Sequence, residues 1–245
     1  MRLRNDSGNA AGRVLAKSLS VIEMVVRQRA TPVTVTPSDQ PEGSVEGIDP
    51  DRIVVLGDWN AVGLGVATFQ LSLAACFARD LAARTGRGAT WVAMPVNGFR
   101  LAGVPPTVVA AVDRIAVADI VILVLGAAET MGFAPPKRWR ADMIVAIESL
   151  FAVMGPSASL IVAEIPPLDN LGVVSGFVSR ELGRHVRLLN SITREITEAY
   201  PHCVFSAFPE ALTEEPWETA SDAFRFSHTY SVWAASMVRS LAFVI

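Results

Sequence analysis

Cysteine is nearly absent from this chain: two in 245 residues, Cys76 and Cys203. Neither falls in a pair at metal-ligand spacing, so thiolate metal centres are excluded and both read as buried thiols of a reducing compartment. Histidine is almost as scarce, at His185, His202 and His228. No His-rich or Cys-rich spacing suits a transition metal, so no metal and no cofactor are expected. The net charge is only −3, which gives no basic excess of the kind that nucleic-acid binders carry, and no nucleic-acid partner is expected. No apolar run reaches the ~18 residues of a transmembrane helix. Lys17 and Glu23 interrupt what would be a signal-peptide core, and no cleavage-like site follows. The expectation is a cytoplasmic protein, with peripheral membrane contact as the alternative.

What the chain does have is apolar residues, 51% of the total. That is enough for a sizeable core, and the length fits one large α/β domain or one domain with an extension. Residues 1–30 stand apart. Val14, Leu15, Leu19, Val21, Ile22, Val25 and Val26 fill one broad face of a helical wheel, with Arg13, Lys17, Ser20, Glu23 and Arg27 opposite. The spacing predicts an amphipathic helix over about residues 12–29. Such a helix packs on its own domain, or it docks on a partner or an anionic membrane surface. Residues 31–50 carry four prolines among Ser, Asp and Glu, the composition of a linker or an extended strap. The division expected is therefore 1–30, 31–50 and a domain over 51–245.

From Arg52 onward strands and helices alternate. Strands are predicted at Ile53–Leu56, Thr90–Met94, Ile120–Leu125, Leu160–Ile165 and Cys203–Ala207. Helices are predicted at about 67–85, 107–115, 135–154, 179–200 and 227–241. Apolar strands separated by helices mean a parallel sheet covered on both faces. Five such strands suggest a three-layer, flavodoxin-like αβα sandwich. A dinucleotide fold competes weakly, but Gly63-Leu-Gly65 lacks the third glycine, no acid closes a second strand, and no P-loop lysine follows.

The chain is organised around Ile53-Val-Val-Leu-Gly-Asp-Trp-Asn-Ala-Val-Gly-Leu-Gly-Val66. It reads as a buried strand, a tight loop and a helix start, and ligands in open α/β sheets sit just past such strand ends. Gly57-Asp58-Trp59 resembles block I of the SGNH (GDSL) hydrolase family, Gly-Asp-Ser. Further blocks follow in the family's order. Asn97-Gly98 resembles block II. Gly126-Ala-Ala128-Glu129 stands where block III has Gly-x-Asn-Asp. Asp222-Ala-Phe-Arg225 stands where block V has Asp-x-x-His. The stretches Ile165-Pro-Pro-Leu-Asp169, Leu189-Asn190 and Tyr230-Ser-Val-Trp233 add to the likeness.

The resemblance implies the SGNH fold and, in the family, carboxylic ester hydrolysis. The family's serine is the acylated nucleophile, its histidine the base and its aspartate the orienter of that base. The serine and glycine amides and the asparagine side chain hold the oxyanion. Here Trp59 has no nucleophilic oxygen, Ala128 has no side-chain donor, and Arg225 stays protonated near neutral pH. Gly98 and Asp222 remain. His228 is the only substitute base near block V, and it also reads as a helix-start residue beside an N-capping Ser227. No serine lies in the 57–66 loop, and no Gly-x-Ser-x-Gly elbow occurs elsewhere. Asp58 and Glu129 read as acids that fix their loops, and Glu214, Glu215 and Glu218 as a solvated acidic loop. An Arg225–Asp222 ion pair would replace the family's His–Asp pair. The leading expectation is a binding or scaffold protein on a hydrolase fold, with a protein or small acyl ligand as partner. One alternative is an active esterase or acyltransferase on acyl, lipid or acylated-sugar esters with an unorthodox site. The other is a membrane-surface protein tethered by residues 12–29.

Overall fold

The structure is a computed structural model that describes residues 35–168, 176–213 and 223–241. The predicted N-terminal helix and the acidic loop at 214–218 lie outside the described residues. Six strands form one sheet: β1 Glu42–Val45, β2 Ile48–Gly57, β3 Arg87–Pro95, β4 Ile120–Val124, β5 Ser159–Ala163 and β6 Cys203–Ser206. Their order is β1-β3-β2-β4-β5-β6. The five strands expected from apolar runs pair in parallel. The sixth, β1, comes from the stretch read as linker or strap and pairs antiparallel along β3. Its residues alternate between exposed and half-buried, so it is a covering edge strand with little apolar signal of its own.

Seven helices are described: α1 Leu73–Thr85, α2 Val104–Ala110, α3 Val112–Ala116, α4 Ala127–Met131, α5 Pro136–Phe151, α6 Gly176–Thr197 and α7 Ala223–Ser240. Along β2, Ile53 and Val55 face one core while Val54 and Leu56 face the other, as the two-residue period of a strand requires. The first core takes Phe77 and Leu81 of α1 with Tyr230, Trp233 and Met237 of α7. The second takes Val104 and Val108 of α2, Trp139 and Met143 of α5, and Val186 and Leu189 of α6. The sandwich therefore has three layers.

The differences from expectation are local. α1 begins at Leu73, not near 67, because Ser72 caps it: its hydroxyl accepts from the Ala75 amide (3.4 Å). The single helix expected at 107–115 is two, broken at Ala111 (φ −118°, ψ 20°). α7 begins at Ala223, so Ser227 and His228 lie a full turn inside the helix and Ser227 is not its N-cap. Cys76 is buried as expected, but Cys203 is only half-buried.

Strand order places the site. The connection from β2 runs through α1 to β3 on one side of it; β4 lies on its other side. The chain after β2 therefore leaves toward one face, and the chain after β4 toward the other. The carboxyl ends of these two strands are therefore the topological switch point, the place where α/β sheets bind ligands.

Candidate functional site

The loop after β2 is held by backbone geometry. Asp58 N–H donates to Val124 O at the end of β4 (2.9 Å), and Val96 N–H, beyond β3, donates to Gly57 O (2.8 Å). Position 57 must be glycine: a Cβ there would stand 2.1 Å from Val124 O. Ala61 N–H returns to Asp58 O (3.0 Å) and Leu64 N–H to Trp59 O (3.0 Å), closing a tight turn. The loop is then clamped from outside. Gly65 N–H donates to Val35 O (2.8 Å), and Tyr230 O–H of α7 donates to Leu64 O (2.8 Å). The Phe226 ring leaves no room for a side chain at Gly65, whose φ is +82°.

Asp58 is buried and fixes this loop, as its position suggests. Its Oδ1 accepts from Asn60 N–H (3.0 Å) and from Asn60 Nδ2 (3.3 Å). Burial raises its pKa from the ordinary 3.8 to about 6; the Asn60 hydrogen bonds oppose that rise, and the nearby Glu129 charge adds to it. Glu129 opens α4 at the end of β4 and is also buried. Its Oε1 accepts from Leu101 N–H (2.8 Å), which ties the loop after β4 to the loop after β3. Its Oε2 is buried with no partner among the described residues, and burial raises its pKa too.

Trp59, which the sequence resemblance sets against the family's serine, is 52% exposed. Its indole stacks on Phe99, with ring centroids 4.5 Å apart and planes at 27°. Phe99 has φ +54° directly after Gly98 at φ +67°. A left-handed phenylalanine costs roughly 1–2 kcal/mol, and the backbone takes up that strain where it presents the ring to Trp59. Sequence reasoning missed Phe99; its only signal is a large aromatic residue immediately after the block II glycine. The Trp59 amide donates to no described residue. Ala128, half-buried in the first turn of α4, supplies no side-chain donor.

Three expected site positions, Trp59, Gly98 and Glu129, are thus linked through Phe99 and Leu101, with Asp58 and Ala128 adjacent in sequence. The rest are not. Asp222 and the side chain of Arg225 lie outside the described residues, so the Arg225–Asp222 pair does too. His228 is exposed on α7. Phe226 and Tyr230, one turn apart, form the face of α7 that meets the loop; His228 lies about 200° around the helix from either. That direction does not suit a base acting at the loop. Among the described residues no group of three His, Cys, Asp or Glu side chains could hold a metal, and no helix is long and apolar enough to cross a membrane.

A second polar cluster occupies the ends of β5 and β6. Asn190 Oδ1 accepts from Ile165 N–H (3.0 Å), and its Nδ2 donates to Ile165 O (3.0 Å) and Glu164 Oε1 (3.2 Å). Glu164 Oε2 accepts from Phe208 N–H (2.8 Å). These residues line a pocket of about 220 Å³ with Val186 and Arg187 of α6. The Ile165 side chain also packs against Gly126, whose Cβ would fall 2.6 Å from it. The Ile165 and Asn190 stretches, far apart in sequence, thus form one structural knot.

No family model and no curated protein matches the chain. Solved structures do match its fold. The lipase Lip_vut3 from a goat rumen metagenome aligns with TM-score 0.63 at 10% identity, over 78% of this chain and 97% of that one. The psychrotrophic esterase EstA from Pseudoalteromonas sp., in a structure inhibited by monoethylphosphonate, aligns with TM-score 0.57 at 14% identity, over 79% and 98%. A protein from Desulfitobacterium hafniense DCB-2, described as lipolytic and of the G-D-S-L family, aligns with TM-score 0.51 at 12% identity, over 78% and 100%. At such identities the likeness is one of architecture, and it agrees with the ordered sequence blocks: this chain has the fold of the SGNH (GDSL) hydrolases.

Proposed function

We propose that the protein is a binding or scaffold protein built on a hydrolase fold, and that it does not hydrolyse esters. The observation that supports this reading is Trp59: a half-exposed indole stacked on Phe99, in the sequence block that resembles the family's Gly-Asp-Ser. The nearest serines offer no replacement. Ser44 is exposed on the edge strand β1. Ser72 is fully buried, and its hydroxyl caps α1. The loops around the position are intact, because Asp58 and Glu129 still bind backbone amides. A kept framework with altered reacting groups fits a role in binding, with a small acyl ligand or a protein seated at the ends of β2 and β4.

The test is ester turnover. Short-chain p-nitrophenyl esters should be cleaved no faster than by heat-denatured protein, and a fluorophosphonate should label no residue. Turnover abolished by replacing one Ser or His would overturn the proposal. The reciprocal test restores the groups. Trp59→Ser, Ala128→Asn and Arg225→His should each do almost nothing alone, because nucleophile and base act as a unit. Together they should give weak turnover and labelling of the introduced serine.

A further inference from the structure

We propose that the pocket at the ends of β5 and β6 binds a small zwitterion, an α-amino acid with an apolar side chain. Its ammonium meets Glu164, its carboxylate meets Arg187, and its side chain lies among Ile165, Val186 and Phe208. Trp59, Phe99 and Glu129 are not among the pocket's walls, so the inference holds whether or not the protein cleaves esters.

The walls come from three elements that the fold brings together. Gly183, Val186, Arg187 and Asn190 recur at helical spacing and share one face of α6. Glu164, Ile165 and Pro167 follow β5, and Phe208 follows β6. These walls are fixed in advance. Asn190 holds both backbone groups of Ile165 (3.0 Å each), and Glu164 Oε2 holds the Phe208 amide (2.8 Å). The Phe208 ring stands edge-on to Trp233, with centroids 5.1 Å apart. A cavity of about 220 Å³ stays open between them. It is smaller than the roughly 300–1,000 Å³ of drug-sized sites, so it suits a small molecule, and rigid walls bind one without a cost of reordering.

The polar lining selects the molecule, because its donors are nearly all used. Asn190 Nδ2 gives its two protons to Ile165 O and Glu164 Oε1. The Ile165 and Phe208 amides go to Asn190 Oδ1 and Glu164 Oε2. Thr213 O–H goes to Glu210 O (2.6 Å), and Pro167 has no N–H. Each Glu164 oxygen accepts one bond and has room for another. This wall therefore accepts from a ligand and gives nothing to it. The donor that remains is the Arg187 guanidinium.

Neither charge has a counter-ion among the described residues. Glu164 is half-buried and receives only neutral donors, from Asn190 and the Phe208 amide. Arg187 is exposed and forms no hydrogen bond or ion pair with a described residue. A carboxylate drawn partly out of water is costly until a cation joins it, and a guanidinium can clasp a carboxylate through two parallel bonds. A simple carboxylic acid would satisfy Arg187 and place a second anion near Glu164. A simple amine would satisfy Glu164 and leave Arg187 unused. An amino acid supplies both charges at one end and an apolar body for Ile165, Val186 and Phe208.

The experiment is an NMR titration of the full chain with L-leucine and L-phenylalanine, read on the side-chain amide signals of Asn190. At least one should shift those signals with a Kd below about 1 mM. No shift from either at about 10 mM would overturn the proposal. Two leucine analogues, 4-methylpentanoate and leucinamide, each lack one charge and should bind roughly tenfold more weakly or worse. Equal binding of 4-methylpentanoate would remove Glu164 from the site and the zwitterion with it. Arg187→Ala changes an exposed side chain without a partner, so the variant should fold, as its urea midpoint would check. It should weaken leucine about tenfold and leave leucinamide unaltered. Unchanged leucine affinity in that folded variant would overturn the assignment of the carboxylate to Arg187 and the proposal with it.

Discussion

The loops after β2 and β5 leave the sheet at the same end, and each begins with a carboxylate that accepts hydrogen bonds. They differ in what stands beside that acid. Next to Glu164 every partner is used: Asn190 makes three bonds, and both Glu164 oxygens accept. Next to Asp58 stands Trp59, which ties down no backbone group with its side chain and is half exposed. The two loops separate two kinds of polar position. Residues that satisfy buried backbone amides hold the fold. A side chain that satisfies none can differ without altering the loop's shape.

The comparison breaks first at Asn190. Asn190→Ala orphans the buried N–H and C=O of Ile165 and should cost about 3–4 kcal/mol in urea unfolding. A loss below about 1 kcal/mol would mean that the β5 loop is held some other way. The β2 loop is sharpened by pH. The folded-state pKa of Asp58, about 6, lies above its ordinary 3.8. The stability it contributes is therefore fully present below pH 3.8 and is lost as pH rises through about 6, by up to about 3 kcal/mol. The difference in unfolding free energy between wild type and Asp58→Asn, measured from pH 4 to 7, should shift by that order. A flat difference would show that Asp58 is not desolvated as its burial implies.

Glu129 bridges the loops after β3 and β4 through the Leu101 amide. Glu129→Ala should cost about 2 kcal/mol in thermal unfolding, because Leu101 N–H loses its acceptor. Glu129→Gln keeps that acceptor and removes a buried charge, so it should cost less than half as much. The smallest effect belongs to Trp59. Trp59→Ser removes one stacked pair from a half-exposed position and should cost no more than about 1 kcal/mol. A larger loss would make Trp59 a structural element of the loop and weaken its reading as a binding surface.

Much of the fold was legible because buried strands announce themselves. The pentapeptide Ile120-Val-Ile-Leu-Val124 is buried at every residue, and it reads as a strand in any frame. β1 was not legible as a strand: Glu-Gly-Ser-Val alternates only between exposed and half-buried positions, and it pairs because the edge of β3 is there to receive it. The start of α7 was misread because Ser227 resembles a cap, whereas the helix runs a full turn earlier. At the site, the loop acids were legible: Asp58 is fixed by a neighbour two residues away, and Glu129 follows directly on an apolar strand. Phe99 was not, because its contact with Trp59 joins loops forty residues apart through a left-handed backbone that no local pattern announces.

The sequence by itself determined the composition of the layers, the order of the blocks and the chemistry that positions 59 and 128 cannot perform. Those follow from side-chain identity and period, which are local properties. Tertiary structure alone decided that Val35, Gly65 and Trp59 meet at one rim, that His228 faces away from the loop, and that Asn190 closes on Ile165. Each of these depends on how helices and strands distant along the chain are brought together by burial, and burial is non-directional and carries no sequence address.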